Sequence, residues 1–139
     1  MNKELPAGYQ AMLGLEQFVR SSSLEHSLIE LVKIRASQIN GCAFCINMHT
    51  VDARKAGETE QRIYALSAWR ETPYFSAEER AALALTEAVT LIASHHVPDS
   101  LYEEAARFFN NQQMGELIMA IVTINSWNRI AIATGLMPE

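Results

Sequence analysis

The residues with the greatest chemical potential in this chain lie between Glu30 and His49, a stretch that reads ELVKIRASQINGCAFCINMH. Cys42 and Cys45, the only two cysteines, are spaced C-x-x-C within it. If a helix opens near Cys42, the two thiols stand one turn apart on the same face. Cβ atoms at that spacing are about 5–6 Å apart, and a disulfide needs roughly 3.5–4.5 Å. Small adjustments in a first helical turn close that gap, so the pair can form a disulfide and reopen it. A cysteine at a helix N-terminus also meets unpaired backbone N–H groups and the positive end of the dipole, which favour thiolate over thiol. By that argument alone Cys42 is the more acidic thiol.

His49 follows Cys45 by four residues and Cys42 by seven, so all three side chains share a helix face. Imidazole titrates near neutrality, which suits it to take a proton from a thiol or return one to a leaving group. Such a histidine needs a partner that orients it and stabilises its charged form. Glu30 offers a carboxylate for this, although spacing alone does not select it. Glu25 reads as a helix cap, and Glu58 and Glu60 as surface charges.

Other chemistries compete for the same residues. Zinc could take Cys42, Cys45 and His49, with a fourth ligand from His26, His95, His96 or a carboxylate; no second Cys/His pair stands at ligand spacing to complete such a site. A c-type haem is excluded locally, because Ile46 follows Cys45 where a histidine is required. A thiol–disulfide reductase could cycle the same cysteines, and a non-catalytic redox sensor could use them to switch assembly state or partner affinity. Cysteine is also often a small buried hydrophobe. His95 and His96 read as a helix-end feature, and Trp69 and Trp127 as packing residues. Asn125 and Asn128, on an otherwise apolar helix, need partners for their amides in backbone groups or neighbouring subunits. Arg35 fits either the surface or a pairing with an acid across an interface.

The elements that must position these groups are helical throughout. Apolar residues at helical spacing predict a helix over about Tyr9 to Arg20. Ser22 with Glu25 fits a capping box opening a second helix, about Leu24 to Ile39, which Asn40-Gly41 ends. A third runs from near Cys42 to Gly57 and a fourth from about Thr59 to Trp69. Pro73 marks a loop, and Ser76 with Glu79 opens a long helix to about Ser94. Pro98 to Ser100 opens another to about Asn110, and the last runs from about Met114 to Thr134, stopped by Gly135. Between Leu117 and Ile124 that last helix is apolar nearly all round, which predicts burial on several sides or an oligomer interface.

At 139 residues the chain is expected to form one domain, 1–139, with a core of its own. Apolar residues make up 49% and aromatics 8%, a composition suited to an all-α fold with an aliphatic core. Sixteen acidic against 11 basic residues give a formal charge of -5, with no basic cluster, so nucleic acid is not expected as a partner. The N-terminus has no signal-like apolar run, and no segment is long enough to span a membrane. The expected compartment is therefore the cytoplasm, where a C-x-x-C pair points to redox or metal chemistry rather than to a staple.

The pattern of Glu30, then Cys42-x-x-Cys45, then His49 after three further residues resembles the alkyl hydroperoxidase D-like (AhpD-like) family of the carboxymuconolactone decarboxylase superfamily. The likeness extends through Ala53 to Gly57, the helix opened by Ser76 and the segment Trp127-Asn128-Arg129-Ile130, roughly Leu24 to Thr134 in all. The resemblance implies a compact helical subunit that assembles into a homo-trimer or homo-hexamer. It implies reduction of small-molecule hydroperoxides, with electrons from a dithiol or disulfide-carrying donor and no cofactor or bound metal. Cys45 would then attack the peroxide, Cys42 would resolve the intermediate, and His49 with Glu30 would relay the proton. This order of the cysteines competes with the dipole argument above. Better-known members carry a second histidine directly before the second cysteine; here that residue is Phe44, which leaves one proton carrier fewer beside the thiols. The decarboxylase branch does not use this cysteine pair, so lactone decarboxylation is not expected.

Overall fold

Seven consecutive residues, Leu28 to Ile34, are buried, so the helix that carries them has neighbours on every side. The computed structural model describes residues 1–139 and contains helices and turns with no strand. In chain order the helices are α1 (Pro6–Arg20), α2 (His26–Asn40), α3 (Ala43–Lys55), α4 (Glu60–Ala65), α5 (Ala77–Thr90), α6 (Ile92–His95), α7 (Asp99–Ala106) and α8 (Asn111–Ala133), with a 3-10 segment at Leu66–Glu71 after α4. The central helix is α2, which packs against α3, α5 and α8, while α1 lies on α8.

The largest apolar cluster joins Val19 of α1, Leu28 and Val32 of α2, Leu85 of α5, and Leu117 and Ile121 of α8. A second fills the space between Leu31, Ile34, Ala53, Leu66, Trp69, Phe75 and Leu83. The third is small and surrounds the thiols: Ala36, Cys42, Cys45, Ile124 and Ala131. α8 is buried along one broad face rather than all round. Leu117, Ala120, Ile121 and Ile124 are fully buried, whereas Val122 and Ile132 remain exposed.

The expected element boundaries hold in part. Ser76 and Glu79 form the reciprocal capping box at α5, and Gly41 closes α2 in the left-handed region at φ 72°. Ser22 and Glu25 do not form one. α2 starts a residue later than Glu25, and the adjacent Ser23 is held instead by Glu116 of α8, through its amide at 3.2 Å and its hydroxyl at 2.6 Å. The fourth helix changes to 3-10 winding at Leu66, where a spacing of three turns Leu66 and Trp69 into the same core. The helix from Ser76 breaks at Leu91, since no residue from Leu91 to His96 is buried and the core no longer supports it. Asn110 opens a helix rather than ending one: it caps α8 in a second box with Gln113.

Two polar assemblies hold the helices in register. Asn40 donates its amide to Asn125 Oδ1 and Asn128 Oδ1, both at 2.9 Å, and the fully buried Asn128 donates to Ser37 Oγ at 3.0 Å. Asn125 donates in turn to Thr90 Oγ1 at 3.0 Å, so the end of α2 is tied to α8 and α5 within one chain. The second assembly centres on Arg62, which bonds Glu58 and Glu79 and stacks on Phe75. Arg35 likewise pairs inside the chain, with Glu87 at 3.3 Å.

Asn128→Ala leaves the Ser37 and Asn40 groups short of a partner in the core, and is expected to cost roughly 1–3 kcal/mol in urea denaturation. Burial pushes the Glu79 carboxyl up, but hydrogen bonds from Arg62 and Ser76 outweigh it and hold the group below the usual carboxylate range. A carboxyl depressed on folding adds stability above its unfolded pKa and loses it as pH falls through the folded value. Glu79→Gln should therefore lose less stability than the parent between about pH 5 and about pH 3, as read by denaturant melts across that range.

Candidate active site

The cysteines sit where two helices meet without a loop between them. The amide of Gly41 bonds the carbonyl of Gln38 at 3.3 Å and that of Cys42 bonds Ser37 at 3.0 Å, the paired bonds of a Schellman turn. Cys42 is then the N-cap of α3, its sulfur accepting from the amide of Cys45 at 3.3 Å. Only one residue, the left-handed Gly41, separates the end of α2 from that cap. Cys42 and Cys45 are joined as a disulfide with their Cα atoms 5.4 Å apart, and both are almost fully buried.

Glu30 and His49 meet between α2 and α3. His49 Nδ1 lies 3.3 Å from Glu30 Oε2, and both side chains are buried. The distance suits an ion pair, yet the alignment is not that of a hydrogen bond, and neither atom has another protein partner. The other carboxylate oxygen, Oε1, faces Nε2 of the exposed His26 at 3.6 Å. The four residues picked out by sequence are thus brought to one place. His95 and His96 lie away from it at the end of α6, and no three His, Cys, Asp or Glu side chains converge as a metal site.

A half-open cavity of about 870 Å³ runs between α1, α2, α3 and α8. Cys45, His49 and Glu30 all line it; Cys42 does not. Its walls are largely apolar, with Tyr9, Leu13, Ile29, Phe44, Met48 and Trp127 among the lining residues. Phe44 is therefore part of the wall of the space that Cys45 adjoins.

Two further features of this cavity escaped the sequence reading. One is a buried ion pair between Lys33 of α2 and Glu16 of α1, with Trp127 Nε1 donating to the other Glu16 oxygen at 3.2 Å. Burial pushes Glu16 up, but Lys33, Trp127 and Arg20 together outweigh it and hold the carboxyl below its usual range. The other is His26. Both His26 and Lys33 lie one helical turn from Glu30, on either side, and that spacing is the signal that could have found them. Trp127, read as a packing residue, packs edge-on against Tyr9 and also binds Glu16.

The model of the carboxymuconolactone decarboxylase family matches residues 4–88. The chain is 53% identical over 130 residues to YdfG, an uncharacterized protein of Bacillus subtilis strain 168, covering 94% of this chain and 88% of that one. A crystal structure of a protein of unknown function from Agrobacterium tumefaciens, provisionally described as the antioxidant defence protein AhpD, superposes with a TM-score of 0.96 at 42% identity, over 99% of this chain and 94% of that one. An uncharacterized peroxidase-related protein from Silicibacter sp. TM1040 shares the fold, with a TM-score of 0.83 at 22% identity, over 94% of this chain and 69% of that one. With its helical architecture, its Cys42–Cys45 pair and these matches, the chain belongs to the carboxymuconolactone decarboxylase family.

Proposed function

We propose that this protein is a thiol-dependent hydroperoxide reductase that cycles between a dithiol and the Cys42–Cys45 disulfide. The observation that carries the reading is that Cys45, His49 and Glu30 line one cavity while Cys42, joined to Cys45, lies behind it. The Agrobacterium tumefaciens structure, provisionally described as AhpD, supports the reading.

In the proposed cycle His49 takes the proton of the Cys45 thiol, and Glu30 stabilises the resulting imidazolium. The thiolate attacks an oxygen of ROOH, the O–O bond breaks, and RO⁻ takes the proton from His49 to leave as ROH. Cys45 is then a sulfenic acid. Cys42 attacks its sulfur, water departs, and the disulfide forms. An external dithiol donor returns two electrons and two protons. No metal or organic cofactor enters this balance.

The order of attack rests on access. The dipole at the start of α3 favours a thiolate on Cys42, but Cys45 is the cysteine beside the cavity, so Cys45 meets the peroxide first. A Cys42 thiolate held by the Cys45 amide is then a good leaving group when the donor reduces the disulfide. The apolar walls favour an organic hydroperoxide over hydrogen peroxide. Assembly as a homo-trimer or homo-hexamer is part of this reading and rests on the family alone.

The reading is tested by titrating thiols in reduced protein before and after one equivalent of an organic hydroperoxide, then after a dithiol. Loss and recovery of both thiols is expected; two thiols that stay free would sink it. Cys45→Ser is expected to abolish turnover, and unchanged turnover would overturn the assignment of Cys45. His49→Gln should slow thiol oxidation more at low pH than at high pH, where the thiol ionises without help. Equal slowing throughout would mean that His49 is not the proton acceptor.

A further inference from the structure

Each turn of the proposed cycle moves protons at groups set into the wall of the cavity. Oxidation by ROOH consumes both thiol protons and yields ROH and water; reduction of the disulfide must bring two protons back. Cys42, Cys45, Glu30 and His49 are all buried. The Glu30 oxygen and the His49 nitrogen that face each other are themselves out of solvent contact and have no further protein partner.

Glu30 stands between two histidines, within ion-pair range of both. Its Oε2 faces buried His49 at 3.3 Å and its Oε1 faces His26 at 3.6 Å. The His26 side chain is 64% exposed against 9% for His49, so one end of this chain of groups is wet and the other is beside the thiols. His26 sits one turn before Glu30 on α2, and both line the cavity that Cys45 adjoins.

We propose that His26 is the solvent end of a proton relay, His26–Glu30–His49, that serves the buried Cys42–Cys45 couple. The inference deepens the peroxidase reading and rests on it for its use in a cycle. His26 acts through Glu30 and His49 and does not touch the sulfurs, so it is a positioning and relay residue. Protons enter at the exposed imidazole, pass across the carboxylate to His49, and reach the leaving cysteine thiolate as a donor dithiol reduces the disulfide. Two electrons come from the dithiol, which is oxidised to its own disulfide and releases its two thiol protons to solvent, so the two protons taken in through His26 balance the exchange.

The other ionisable groups facing the cavity are Tyr9, Glu16 and Arg20 on α1, Lys33 on α2, Asp52 and Lys55 on α3, and the Met1 amine. Glu16, Lys33 and Arg20 are engaged with one another, and the Met1 amine pairs with Glu4. The α8 wall, through Trp127, Ile130, Ala131 and Thr134, contributes no ionisable side chain. Among the cavity histidines, His26 is the exposed one.

The test compares the oxidised parent with His26→Gln, measuring the rate of reduction by dithiothreitol across pH in dilute buffer, with and without added imidazole. The variant is expected to be slowed on the order of tenfold, to become dependent on buffer concentration, and to regain speed with imidazole while the parent does not respond. A variant as fast as the parent overturns the relay. So does a slow variant that neither buffer nor imidazole rescues, since that marks a structural role. Because His26 is exposed, the variant should fold, and a melt matching the parent's checks this. This reduction needs no hydroperoxide. A parent that is reduced normally yet consumes no hydroperoxide would overturn the peroxidase reading and leave the relay standing.

Discussion

The structure depends on the burial of two opposite charges in its central helix. Glu30 and Lys33 lie on α2 within a run that is out of solvent from Leu28 to Ile34. An isolated charge in such a place costs several kcal/mol, and a lost partner leaves that cost uncompensated. Neighbouring helices must therefore bring complementary groups to fixed points. α1 supplies Glu16 to Lys33, and α3 supplies His49 to Glu30. The apolar clusters hold these helices against α2 without direction; the charges specify which residue faces which. The cavity opens between the same helices, so the polar contacts that set their packing also form part of its walls.

Much of the candidate site was legible because it is local. Cys42, Cys45 and His49 lie within three turns of chain, and their common face follows from helical period once Gly41 is seen to end the helix before them. The Ser76 and Glu79 box was legible for the same reason: both of its hydrogen bonds close within four residues. Ser22 and Glu25 carried the same signal and formed no box, because Ser23 found Glu116 ninety-three residues away. Asn110 was read as a stop although it begins α8, since its partner Gln113 fits a capping box with an amide in place of the more familiar carboxylate. The Glu16–Lys33 pair joins residues on different helices, and no single-helix pattern could have matched them. Glu30 stands between these cases. Its place opposite His49 depends on how α2 and α3 pack, and the resemblance to a family named it where spacing did not.

The family relationship and the local geometry bear on different questions. The matches to the carboxymuconolactone decarboxylase family and to the Agrobacterium tumefaciens structure establish the architecture. They leave the character of the cavity to this chain's own side chains. Phe44, Met48 and Trp127 give it apolar walls, and the Glu16, Lys33 and Trp127 contacts neutralise charge at its α1 side. Asp52 and Lys55 on α3 remain in the lining without an ion-pair partner, and two buried polar atoms, of Glu30 and His49, face each other without other partners.

Cys42 belongs to two helices at once: its amide closes the turn that ends α2, and its sulfur caps the start of α3. A hinge between helices usually lies in a connecting loop that can absorb rotation. None exists here, and the asparagine contacts around Asn40 fasten the last turn of α2 from behind. A change in bonding at the Cys42 sulfur is therefore taken up within the first turn of α3, the span that both cysteines share. The oxidised and reduced proteins would then differ at the stretch of cavity wall where Cys45 stands, while the helices around it keep their places.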